Sequence, residues 1–111
     1  MHSIDDDKRF ILQSISDERI AFKRHAIQRM LERGIKSDEL FEALASGYVI
    51  EQYPEDYPFR SCLMLGFSAG ERPLHAVVSI DEKELYVWII TVYQPNILDW
   101  KNGFAQRRTT G

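Results

Sequence analysis

Proton transfer near neutral pH and phosphate capture both need particular side chains, and this 111-residue chain groups several of them by spacing. In the run Arg24-His25-Ala26-Ile27-Gln28-Arg29-Met30-Leu31-Glu32-Arg33-Gly34-Ile35, a helical period puts His25, Arg29 and Arg33 on one flank at i, i+4 and i+8. Ala26, Ile27, Met30 and Leu31 then form the apolar arc. One imidazole and two guanidinium groups facing the same space make a phosphate receptor, because arginine is an always-charged planar fork of donors and histidine exchanges a proton near pH 7. The same pattern also describes a solvated basic face on an amphipathic helix. Farther along, His75 lies in an alternating segment, either as an acid–base group or as a histidine filling a half-buried strand position. Tyr93 ends the last apolar run and offers a hydroxyl donor or the polar tip of a packing residue. A three-histidine metal site would have to recruit His2, and the lone Cys62 provides neither a disulfide nor a cysteine cluster, so no metal and no cofactor are expected.

The net charge of −3 argues against indiscriminate binding to nucleic acid, but its distribution is uneven. Between residues 19 and 36, Arg19, Lys23, Arg24, Arg29, Arg33 and Lys36 stand against Glu32 alone. The tail repeats the bias with Lys101, Arg107 and Arg108 against Asp99, whereas residues 37–84 are predominantly acidic. Tyr48, Tyr53, Tyr57, Tyr86, Trp88, Tyr93 and Trp100 supply rings that either pack in the fold or stack on exposed bases.

These groups must be carried by a single domain over residues 1–111, since the chain is long enough for one modest core and lacks any linker or repeat. The longest apolar runs, such as Val87-Trp88-Ile89-Ile90, are strand-length, and the acidic N-terminus does not read as a secretory signal. Together with the single cysteine, this points to the cytoplasm. A first helix is expected from about Asp5 to Ser14, with Asp5, Asp6 and Asp7 complementing its dipole. A short extended piece from Arg19 to Lys23 leads into the His25 helix, which Gly34 ends, and Ser37 caps a third helix running to Gly47. Beyond Gly47 the period changes to two, giving strands at Tyr48–Tyr53, Arg60–Phe67, Pro73–Ile80 and Leu85–Tyr93.

Helices followed by hairpin strands define an α+β fold: N-terminal helices packed on a four-stranded antiparallel sheet, with a short C-terminal tail. Ile27, Met30, Leu31, Leu40, Phe41 and Leu44 are expected in its core, with His25, Arg29 and Arg33 along an accessible edge. The opposite sheet face is left open. On the last strand either Tyr86, Trp88, Ile90 and Val92 or Val87, Ile89, Thr91 and Tyr93 occupy it, the second set being preferred because Thr91 and Tyr93 could hydrogen-bond a ligand. Trp100 folds the tail back, bringing Arg107 and Arg108 toward that face.

The ordered set His25-Ala26, Arg29-Met30, Glu32-Arg33-Gly34-Ile35, Glu51 with Tyr53-Pro54, Arg72-Pro73-Leu74-His75 and Ile90-Thr91-Val92-Tyr93-x-Pro95 with Trp100 resembles the domain-of-unknown-function family 4258. The resemblance spans about residues 20–104 and implies a RelE/ParE-like fold, in which related domains are ribonuclease toxins held by a small antitoxin. For this chain it implies a toxin that cleaves RNA, ribosome-associated RNA included, without a metal. The internal 2′-hydroxyl would be the nucleophile, His25, His75 and Tyr93 the acid–base candidates, and Arg29, Arg33, Arg107 and Arg108 the RNA-phosphate contacts. The alternative is a non-catalytic protein-interaction module of the same fold.

Overall fold

The computed structural model describes residues 3–109. Helix α1 (Ile4–Ser16) begins where the Ser3 hydroxyl accepts the Asp6 N–H at 3.0 Å, one residue earlier than its acidic triplet indicates. After β1 (Ile20–Phe22) come α2 (Arg24–Arg33), α3 (Ser37–Ser46) and four further strands: β2 (Tyr48–Tyr53), β3 (Ser61–Phe67), β4 (Pro73–Asp81) and β5 (Tyr86–Tyr93). Gly34 ends α2 in the left-handed region at φ 64°, a conformation open to glycine without steric cost. Ser37 is the first helical residue of α3 rather than its cap. That position falls to Lys36, whose N–H donates to Glu39 Oε1 at 3.2 Å.

The expected four-stranded antiparallel sheet is corrected to five strands of mixed direction, in the order β1-β5-β4-β3-β2. The extended piece before α2 is the fifth strand. Its Ile20, Ala21 and Phe22 pair in parallel with Val87, Trp88 and Ile89. The remaining pairs are antiparallel. Parallel pairing is possible here because the long connection through α2, α3 and the meander separates the two strands.

Ile11, Ala26, Met30, Leu40 and Leu44 bury against Met64, Leu74, Ala76, Val78 and Ile89, so all three helices share one face of the sheet. Three of the expected core residues do not join them: Ile27 is 49% and Leu31 78% exposed, and Phe41 is half-buried, edge-on to Phe22. Helix α2 rests on the Ala26–Met30 line, and one step around the helix carries Ile27 and Leu31 to its solvent flank. Among the described residues, no helix is long and apolar enough to cross a membrane.

Two single-residue insertions decide which side chains reach the far face. In β2 the register passes from Val49↔Met64 to Glu51↔Leu63, leaving Ile50 as the extra residue. In β5 it passes from Ile89↔Val78 to Thr91↔Val77, leaving Ile90 unmatched. Each bulge inverts the alternation beyond it. Val87 and Ile89 consequently lie in the core, contrary to the preferred set, while Trp88 pairs with Ser79 and Tyr93 with His75 on the far face.

Candidate functional site

Glu51 and Tyr53 are two residues apart on β2, and the Ile50 bulge turns both away from the helices. The Tyr53 hydroxyl donates to Glu51 Oε1. Arg107 then reaches back from the tail and grips the carboxylate with two bonds, Nε to Oε2 at 2.8 Å and Nη2 to Oε1 at 3.0 Å. The guanidinium lies 4.7 Å from the centre of the Trp100 ring. Arginine bonding holds the Glu51 carboxyl below its ordinary range despite partial burial, and the Tyr53 hydroxyl adds to the effect. Burial, followed by the neighbouring carboxylate, pushes the Tyr53 phenol up to about 12, so it retains its proton.

Beside this trio the Ile90 bulge sets Tyr93 opposite His75. The His75 ring is wholly buried, stands edge-on to Trp100 at 4.4 Å, and has both nitrogens engaged. Nε2 bonds the Phe104 carbonyl at 2.8 Å, which requires that nitrogen to carry the proton, and Nδ1 accordingly accepts the Tyr93 hydroxyl at 3.1 Å. Burial lowers the His75 pKa below 6.5 against the opposing pull of the Phe104 carbonyl, and burial also raises the Tyr93 phenol. His75 is therefore a neutral clasp on the tail. The pairing of Trp100 with Arg107 and the bond from Lys101 N–H to the Gln106 carbonyl close that tail into a loop across the far face.

Other residues expected at the site are distributed elsewhere. His25, Arg29 and Arg33 are all exposed, as their spacing requires, but they belong to the helical layer on the opposite side of the sheet from His75. Arg33 spends Nη1 on the Val92 carbonyl at 3.2 Å, whereas among the described residues Arg24 and Arg29 have no carboxylate partner. Arg107 and Arg108 part ways: Arg107 joins Glu51, and Arg108 donates through Nε to the Ile97 carbonyl within the tail. His2 lies outside the described residues. Among the described residues, no group of three or more histidine, cysteine, aspartate or glutamate side chains could hold a metal ion.

The family model described as Domain of unknown function (DUF4258) matches residues 22–94. The chain belongs to this family. No curated protein and no solved structure matches it. The DUF4258 segment contains Glu51, Tyr53, His75 and Tyr93, while Trp100, Phe104 and Arg107 come from beyond its end. Sequence reasoning placed Tyr53 among rings that pack or stack and Glu51 only within the family motif, and gave neither an acid–base role. Their i, i+2 spacing on a strand was the available signal, since it places a carboxylate and a phenol on one face.

Proposed function

We propose that this protein is the RelE/ParE-like toxin of a toxin–antitoxin pair, a cytoplasmic endoribonuclease that needs no metal and works on the far face of its sheet. The observation that carries this reading is the joined set of Glu51 carboxylate, Tyr53 hydroxyl and Arg107 guanidinium, with Arg107 still 59% exposed. Glu51 takes the proton of the RNA 2′-hydroxyl, whose oxygen attacks the adjacent phosphorus. The bond from phosphorus to the 5′-oxygen breaks as Tyr53 gives that oxygen its proton. Arg107 faces the charge gathering on the phosphate through its free Nη1 edge. The direct bond between Tyr53 and Glu51 lets the proton held by Glu51 return to Tyr53, which resets the site. In this scheme His75 and Tyr93 are positioning residues that hold the tail so that Arg107 meets Glu51.

Incubating end-labelled RNA with the purified chain tests this directly. Cleavage should persist in EDTA and leave a 2′,3′-cyclic phosphate, and Glu51→Gln should lower kcat roughly 100-fold or more while the circular dichroism spectrum stays native. A 3′-hydroxyl end that disappears on chelation would overturn the mechanism. The second reading, a non-catalytic interaction module, draws on the exposed Ile27 and Leu31 beside the unpaired Arg24 of α2. It is favoured if overproduction of the folded chain neither cuts RNA nor arrests growth.

A further inference from the structure

The row of residues next to Glu51 and Leu63 on the far face runs Tyr53, Ser61, Ser79 and Trp88 across β2, β3, β4 and β5. Loop 54–60 rises beside it and, with Lys23 at the junction of β1 and α2, bounds a cleft of about 430 Å³ floored by Val77, Trp88 and Ile90. The polar groups of the cleft are of two signs. Lys23 Nζ stands 4.6 Å from the centre of the Trp88 ring. Asp81 accepts the Glu84 N–H on Oδ1, and Asp56 accepts the Ser61 hydroxyl on Oδ2. Among the described residues, each carboxylate keeps its other oxygen unbonded. Tyr57, on the loop, is 94% exposed.

We propose that this cleft is a subsite for a guanine base of single-stranded RNA. Trp88 and Tyr57 supply its stacking surfaces, Asp56 and Asp81 its hydrogen-bond acceptors, and Lys23 its phosphate contact. Ionised carboxylates only accept, so they select the base whose pairing edge shows adjacent donors. Guanine presents N1–H and the N2 amino group side by side. Adenine and cytosine set a ring acceptor beside their amino group, and uracil flanks its one N–H with carbonyls. A cationic ligand is disfavoured because Lys23 already stands over the Trp88 ring. The inference rests on the RNA reading and deepens it: the cleft opens on the same sheet face as Glu51, with Trp88 three strands across from β2, roughly 14 Å at the usual strand spacing, so a base seated there belongs to a nucleotide outside the scissile bond.

Titration of the full chain with 5′-GMP and 5′-AMP, followed through the Trp88 indole N–H resonance, tests the subsite. GMP should move that resonance and bind at least tenfold more tightly than AMP. Asp81→Asn should erase most of that preference, and Tyr57→Ala, at a side chain that is 94% exposed, should weaken both nucleotides. Equal affinities for GMP and AMP, an unmoved Trp88 signal, or tighter binding of spermidine would overturn the proposal. Mononucleotides contain no scissile bond, so the two readings fail separately. A chain that binds GMP and cuts nothing keeps the subsite, whereas one that cuts RNA while ignoring GMP loses only the subsite.

Discussion

His75 illustrates how burial converts a reactive residue type into a structural one. With Nε2–H fixed on the Phe104 carbonyl and Nδ1 accepting the hydrogen bond of the Tyr93 hydroxyl, the ring has no unused polar atom, and a proton on Nδ1 would confront a hydroxyl already aimed at it. Because the folded pKa lies below the unfolded value of 6.5, the unfolded chain binds the proton first. The stability contributed by the neutral ring is complete above about pH 6.5 and is lost as pH falls through the folded pKa. Glu51 acts in the same sense at lower pH, with its contribution present above 4.5 and lost as pH falls through its depressed folded value. Thermal unfolding followed by circular dichroism should therefore show the melting temperature dropping between about pH 7 and pH 5, and His75→Asn should flatten that drop even though it starts from a lower value. An unchanged slope in the variant would assign the pH dependence to another group. Cys62 gives a simpler readout. Burial, with a smaller contribution from Asp7, pushes its thiol up to about 12, so the native chain should resist alkylation at pH 8 and react on unfolding.

At the scale of elements, the close fit of α3 on the sheet depends on an absent side chain. A Cβ built on Gly66 would lie 1.8 Å from the Ala43 carbonyl oxygen, which is backbone and cannot rotate away. Gly66→Ala should cost about 3 kcal/mol or more and lower the melting temperature by roughly 10 °C or more. A smaller loss would mean that α3 shifts freely over β3. The elements themselves were legible in the sequence: β2 keeps its expected bounds at Tyr48 and Tyr53, and β3, β4 and β5 differ from theirs by one residue at one end. Hidden from the periodicity were the bulges at Ile50 and Ile90, because one inserted residue leaves a strand apolar and strand-like while exchanging its faces. The site was hidden with them. The Ile50 inversion decides that the Glu51–Tyr53 pair faces away from the helices and the Ile90 inversion sets Tyr93 opposite His75, while the extended piece at Arg19–Lys23 was legible but, at three residues, gave no sign of its parallel pairing with β5.

For the whole molecule, the helical layer and the far face present two competing tracks for an anionic chain. α2 offers exposed His25, Arg29 and Arg33 on an accessible flank. The far face offers Lys23 and the Glu51-paired Arg107 beside aromatic rings, on a protein whose total charge is −3. Salt dependence separates the tracks, because each phosphate neutralised on a single strand contributes about −0.7 to the slope of log K against log salt. Binding across the far face through Lys23 and Arg107 should give a slope near −1.4. The double variant Arg29→Ala, Arg33→Ala should leave that slope unchanged, whereas Arg107→Ala should make it shallower by about 0.7 and weaken binding to all sequences alike. Filter binding of a short single-stranded RNA over a range of salt concentrations measures both. If the helix variant flattens the slope and the Arg107 variant does not, RNA runs along α2, and the set of Glu51, Tyr53 and Arg107 is left to hold the tail in place.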